Sequence, residues 1–262
     1  VDTSAAGGLP LTGERTVPDV PSENYWFRRH EAAYSYLGDV IGGGLVLDVG
    51  AGEGYGAAML RSRARRAVAM DYDLQTVRHL ARRYPAVHAV QANLASLPIA
   101  TGLVDAVVAL QVIEHVWDHP QFLAECVRVL VPGARSALPD GRPPGLLAFS
   151  TPNRLTFSPG RDRPANPFHT HEFTAGELAA LVRSRDLADI VVRGLVGGPR
   201  LTELDQRFGG PGSLVAAQLA AAPDDWSAEL VRAVASITTA DFVITETADD
   251  DSLDLILLAR RR

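Results

Sequence analysis

Lysine is absent from this sequence: all 25 basic residues are arginine. A common general base and Schiff-base former is therefore missing from its chemistry. There is one cysteine, Cys126, so no intrachain disulfide can form, and a reducing cytoplasm is the expected location. Cys126 lies at helical spacing among Phe122, Leu123, Val129 and Leu130, an apolar stripe that reads as core packing. No apolar run reaches about 18 residues, so no transmembrane helix is expected. Nor is a secretion signal expected, because no basic stretch leads into an apolar one near the N-terminus. Positive charge is also short: a net charge of −6 argues against nucleic acid or an anionic membrane as partner.

What is present suits one α/β domain. The 262 residues are 47% hydrophobic, enough for a sizeable core. Residues 1–22, rich in Gly, Pro, Thr and Asp, read as a flexible arm ahead of a domain spanning 23–262. Residues 23–37 are helix-like and aromatic, with Tyr25, Trp26, Phe27, Tyr34 and Tyr36. Strand and helix patterns then alternate. Strands are expected at 45–49, 66–70, 87–91, 104–110, 146–150, 190–196 and 253–259. Helices are expected at 55–65, 74–84, 120–130 and 175–184. Continuous apolar strands between amphipathic helices predict a mostly parallel, seven-stranded sheet covered on both faces. Two segments break the rhythm. Arg135–Pro144, with three prolines, reads as a surface loop, and 197–241 reads as a helical cap insertion able to cover a ligand or meet a second copy in a homodimer.

The first strand runs into Asp48-Val49-Gly50-Ala51-Gly52-Glu53-Gly54-Tyr55-Gly56, just before a helix. Glycines there let the backbone turn sharply and approach a ligand closely. A dinucleotide fingerprint, G-x-G-x-x-G, would need glycine where Tyr55 stands. The observed G-x-G-x-G, with Asp48 before it, instead resembles the S-adenosylmethionine (SAM) motif of class I methyltransferases, which implies a Rossmann-like fold and SAM as cofactor. Asp71, ending the second strand, suits the ribose hydroxyls. Asn93 and Leu94, after the third, suit the adenine edge and face, Arg28 and His30 can reach the methionine carboxylate or an acceptor hydroxyl, and Gln111, after the fourth strand, is a further candidate for holding the cofactor.

The fourth strand is followed by Gln111-Val112-Ile113-Glu114-His115, and a later loop carries His169-Thr170-His171-Glu172. Ligands bind beyond the carboxyl ends of such strands, so these groups face the methyl donor. Methyl transfer to an alcohol needs alignment and loss of the hydroxyl proton, through a histidine base or a divalent metal. The candidates for this work are Glu114, His115, His169 and His171. The pattern resembles metal-dependent SAM O-methyltransferases of the small-RNA-end and ubiquinone types, which carry Glu-x-x-Glu-His at this place. That implies Gln111, Glu114, His115 and His169 as ligands of Mg2+ or Mn2+, with Gln111 standing where the family has glutamate.

A fuller resemblance runs through residues 11–16, Glu23–His30, 150–154, 157–162, 166–170, 238–242 and 251–254. These stretches look like the actinobacterial sugar O-methyltransferases of methylmannose polysaccharide synthesis. The resemblance implies a mannoside acceptor, methylated on its reducing-end hydroxyl at position 1 or on a ring hydroxyl at position 3. The readings left beside it are a metal-independent O-methyltransferase of phenols or quinols, and a SAM-binding subunit without catalysis.

Overall fold

The central strands of this protein are short runs rich in Val, Leu and Ala in which successive side chains point to opposite faces, and both faces are buried. In the computed structural model, residues 9, 15–133, 143–183 and 185–262 are described. They build one sheet from β1 (Leu45–Val49), β2 (Arg66–Asp71), β3 (His88–Gln91), β4 (Ala106–Leu110), β5 (Leu146–Pro152), β6 (Leu187–Gly197), β7 (Phe242–Ile244) and β8 (Asp254–Arg261). The strand order is β3-β2-β1-β4-β5-β8-β6-β7. Strands β1 to β5 pair in parallel, whereas β8 runs antiparallel between β5 and β6, and β7 antiparallel at the edge.

The sheet is therefore mixed and has eight strands, one more than expected from sequence. The extra strand, β7, is three residues long, with burial pattern buried, exposed, half-buried, and it bonds to the far end of β6. So short a run has no periodicity to read. Strand β6 also starts three residues before its expected position, because a bulge between Ala188 and Val191 breaks its alternation.

Helix α1 (Asn24–Val40) and α2 (Tyr55–Arg63) lie on one face, packed on Val46, Val108, Ala148 and Ile256. α3 (Leu74–Arg83) follows β2. α4 (His119–Val129) and, after the four-residue α5 (Arg154–Phe157), α6 (Ala175–Arg183) cover the other face, over Leu47, Val107, Phe149 and Leu257. The segment from 197 to 241 contains α7 (Pro199–Arg207), α8 (Ser213–Leu219) and α9 (Ala228–Ala235). Their apolar residues Leu201, Leu204, Leu214, Leu230 and Val234 join the core around α1, and the Asn24 amide donates to the carbonyls of Val234 and Ile237.

Of the segment expected as an arm, residues 15–22 are described, and they dock. Thr16 is buried against Tyr55, and Arg15 bonds Thr76 at the start of α3. The loop expected at 135–144 falls outside the described residues except for its last two positions.

Candidate active site

The glycine turn after β1 is built by three residues in left-handed backbone: Gly50, Gly52 and Gly54, with φ of 76°, 55° and 102°. The amides of Gly50 and Ala51 donate to the Met70 carbonyl, which ties the turn to the end of β2. Gly56 serves a different purpose. A Cβ there would fall 2.0 Å from the Tyr34 ring, so only glycine lets α1 cross α2 this closely. That crossing carries the Tyr34 hydroxyl to Asp48, to which it donates at 3.2 Å. Asp48 is fully buried, and burial pushes its carboxyl up to about 7 despite the bond from Tyr34.

Asp71 closes β2 beside this turn. One of its oxygens accepts the Gly52 amide and the other the Asp73 amide, each at 3.0 Å. Burial raises its pKa, and the two backbone bonds and Arg15 pull the other way. Beyond β3 an open hollow of about 520 Å³ is lined by Tyr72, Gln91, Ala92 and Asn93. Asn93 is exposed there, with its carbonyl oxygen capping the Ala95 amide, and Leu94 follows, half-buried. On α1, His30 meets the hydroxyls of Tyr55 at 3.1 Å and Thr16 at 3.4 Å, and burial depresses its pKa to about 4. Arg28 is paired with Glu31 at 2.7 Å and leans over Phe27.

The second half of the site lies beyond β4 and β5. The turn at Ile113–His115 carries Glu114 and His115, and the 158–174 loop brings His169 back to them. The two segments are joined by Thr170, whose hydroxyl donates to the carbonyls of Glu114 and Val116. One ligand-type atom from each of Glu114, His115 and His169 falls within 4.8 Å of the others. The rings of His115 and His169 meet edge to face, 4.9 Å apart.

The tautomers follow from the partners. Nδ1 of His115 faces the Phe168 carbonyl at 3.1 Å, and Nδ1 of His169 faces the Glu172 carboxylate at 2.8 Å. Both partners are acceptors, so in the neutral ring each Nδ1 carries the proton and each Nε2 is the acceptor atom. Nε2 of His169 receives the Asn166 amide at 3.2 Å.

Glu114 is wholly buried. Its Oε2 accepts the Thr151 hydroxyl, while Oε1 has no hydrogen-bond partner, and burial pushes its carboxyl up to about 8. Glu172 is buried too, with Oε2 unpartnered. Glu114 and Glu172 each leave one buried carboxyl oxygen unpartnered, with no arginine among the described residues bonded to either, and ionising Glu114 there is costly unless a cation sits beside it. Imidazoles held at Nδ1 by a carbonyl and a carboxylate are oriented as metal-bound histidines usually are. These residues fit a hard or borderline divalent ion.

His171 is placed differently. Its ring packs on Phe173 at 4.5 Å and faces His119 at 6.0 Å, while its amide bonds the Glu114 carbonyl. Gln111 has a left-handed backbone, φ 54°, and its side-chain amide donates to Ser150 and Asp254. Glu172, Arg29 and Asp254 are not among the site residues expected from the sequence. The spacing His169-x-x-Glu172 is a local signal for the first. The other two form an ion pair across 225 positions, for which a single sequence holds no signal.

A mostly parallel sheet with a G-x-G-x-G turn after β1 and polar groups beyond β4 is the arrangement of class I methyltransferases. Residues 47–138 match the family model of a methyltransferase domain. A "probable S-adenosylmethionine-dependent methyltransferase" of Mycobacterium tuberculosis is 48% identical over 99% of this chain and 92% of its own length. A similarly described protein of Mycolicibacterium smegmatis is 47% identical over 99% of this chain and 98% of its own. A solved SAM-dependent methyltransferase of Thermotoga maritima, described as a possible histamine N-methyltransferase, shares the fold with a TM-score of 0.58 at 15% identity. It covers 91% of this chain and 93% of its own. The chain belongs to the SAM-dependent methyltransferases. Among the described residues, no helix is long and apolar enough to cross a membrane.

Proposed function

We propose that this methyltransferase moves the SAM methyl group to a hydroxyl of a short mannoside, with a divalent cation, Mg2+ or Mn2+, held by Glu114, His115 and His169. The observation that carries the metal-assisted reading is the buried, unpartnered Oε1 of Glu114 beside the two histidines. The mannoside rests on the resemblance of residues 11–16, 23–30, 150–154, 157–162, 166–170, 238–242 and 251–254 to the sugar O-methyltransferases.

Asp71 accepts the ribose hydroxyls with the lone pairs its two backbone bonds leave. Asn93 and Leu94 border the adenine over the Tyr72 hollow. Arg28 reaches the donor carboxylate by leaving Glu31, and His30 stays neutral beside it. When bound, the cation lowers the pKa of the acceptor hydroxyl. Glu114 and His169 orient the acceptor oxygen in line with the sulfonium methyl, and the 158–174 loop, joined to the Glu114 turn by Thr170, excludes water. The released proton passes to His171, the candidate base outside the ligand set. The helical insertion, packed on α1, closes over the acceptor.

Position 1 of the sugar is the favoured target, because a hemiacetal hydroxyl is more acidic than a ring alcohol and a smaller pKa gap aids proton removal. The test offers a mannobiose with a free reducing end, its 1-O-alkyl derivative, and the free sugar with excess EDTA. Turnover of the free sugar alone, lost in EDTA, is expected. Equal turnover of the blocked sugar moves the target to a ring hydroxyl. Activity that persists in EDTA removes the metal and leaves His115 or His171 as a simple base. Glu114→Ala and His169→Ala should each lose most turnover while binding S-adenosylhomocysteine (SAH) as the parent does. Full activity in both would overturn the site.

A further inference from the structure

Gln111 is the residue where β4 stops, and it holds a backbone conformation that side-chain-bearing residues rarely adopt, φ 54°. Its surroundings over-determine it. The main-chain amide donates to the Ser150 carbonyl. The side-chain Nε2 donates to the Ser150 hydroxyl at 3.0 Å and to Asp254 Oδ1 at 3.2 Å.

Asp254 is itself fixed. Arg29, from the middle of α1, grips both of its oxygens at 2.6 Å and also bonds the Leu253 carbonyl at 2.7 Å. Both members of the pair are buried. A carboxylate only accepts, so it determines which end of the Gln111 amide faces it: nitrogen toward Asp254, oxygen away. Both Nε2 hydrogens are thereby used, while Oε1 takes no hydrogen bond from any described residue.

The place of that oxygen follows from the sheet. Strand order β3-β2-β1-β4 sets the hollow at Asn93, then Asp71, then the glycine turn, then Gln111 in one row along the carboxyl edge. The neighbour of Gln111, Val112, touches the glycine turn: its Cγ2 lies 2.6 Å from where a Cβ on Gly50 would be. The residue after Arg29, His30, reaches Tyr55 at the start of α2. The clamp thus belongs to the donor side of the crevice. An adenosine laid along the first part of this row leaves the amino-acid end of SAM at Gln111.

We propose that the buried Arg29–Asp254 pair is a positioning device that locks the Gln111 amide so that its Oε1 accepts the α-ammonium of SAM. Gln111 then serves the donor and not the metal, and α1 is coupled to the donor through its ion pair with β8. Asp254 and Arg29 are positioning residues, since neither touches the donor.

The test compares SAH with its analogue lacking the α-amino group, by calorimetry in EDTA, on the wild type, Gln111→Leu and Asp254→Asn. The wild type should bind SAH at least tenfold more tightly than the analogue. Gln111→Leu should erase most of that ratio while binding the analogue as the wild type does. Asp254→Asn should reduce the ratio in the same sense, as Gln111 loses its anchor. Since Asp254→Asn leaves Arg29 unpaired and can unfold the chain, circular dichroism is recorded alongside, and Gln111→Leu decides the matter by itself. Equal loss of affinity for both ligands, or no loss, overturns the proposal. So does a Gln111→Leu variant that keeps the SAH preference but loses Mn2+ binding, which would make Gln111 a metal ligand.

Discussion

Two acidic residues on the donor side hold their positions for different reasons, and this separates the effects of replacing them. Asp71 bonds the amides of Gly52 and Asp73, so it fixes the glycine turn as well as facing the position proposed for the ribose. Asp71→Ala should weaken SAH binding by about 1–3 kcal/mol, the scale for lost hydrogen bonds to a charged group, with the fold retained. Unchanged affinity in calorimetry would remove Asp71 from the ribose. Among the described residues, the Tyr34 hydroxyl is the one side-chain hydrogen-bond partner of Asp48, and burial raises its pKa from 3.8 to about 7. A raised folded pKa means that the folded state holds a proton the unfolded state releases. The stability this brings is complete below about pH 4 and is lost as pH rises toward 7. Asp48→Asn should therefore flatten the stability profile across that window and be the more stable form at pH 8, by about 2–4 kcal/mol at one pKa unit per 1.4 kcal/mol. Parallel profiles for parent and variant in urea titrations at pH 4, 6 and 8 would show that Asp48 stays ionised in the fold.

At the scale of elements, the packing of α1 on α2 depends on one missing side chain. Gly56→Ala puts a methyl group into the Tyr34 ring, which cannot yield without leaving Asp48. It should destabilise the protein by about 1–3 kcal/mol, the usual cost of overpacking. It should also weaken SAH binding, because α1 carries His30 and Arg29 toward the donor side. Restored stability in a Gly56→Ala, Tyr34→Leu double variant, read by thermal melts, would confirm the clash, and its absence would place the strain elsewhere. Elements buried on both faces were legible beforehand. The apolar runs at 45–49, 104–110 and 146–150 have no other use than a covered parallel sheet; β1 lies where it was expected, β4 starts two residues later and β5 ends two residues further on. The G-x-G-x-G turn was legible because its positive φ values require glycine. Contacts between distant elements were not. Arg29 reads as one more arginine on an aromatic helix, and nothing near Asp254 in sequence announces a partner on α1. The docking of residues 15–22 depends in the same way on Thr16 meeting Tyr55, which composition cannot convey.

For the whole molecule, the most consequential feature is a cluster assembled from segments more than fifty residues apart. Glu114 and His115 follow β4, while His169 comes from the loop beyond β5, and Thr170 holds the two together. Glu114 in the cluster and Glu172, which bonds His169, each keep an unpartnered buried oxygen, and ionising Glu114 within the fold is costly unless a cation is bound. The unfolded chain keeps these segments apart and has no such site. A cation that binds the folded arrangement therefore stabilises it by mass action, by about 2.7 kcal/mol at a hundredfold excess over its Kd. For a chain of this size, 1 kcal/mol shifts the melting temperature by roughly 2–4 °C, so Mn2+ should raise it by about 5–10 °C at that excess, and EDTA should reverse the shift. Replacing the ligands separates this from unspecific binding to a chain with net charge −6. Glu114→Gln keeps the size and the Thr151 contact but removes the charge, so the Mn2+ shift should vanish, while SAH still raises the melting temperature through its own site. If Glu114→Gln and His169→Ala melt with the same Mn2+ increment as the parent, the ion binds elsewhere. The orphaned oxygen of Glu114 would then be the mark of a protonated carboxyl, as its pKa of about 8 allows, and the acceptor would be deprotonated by histidine alone.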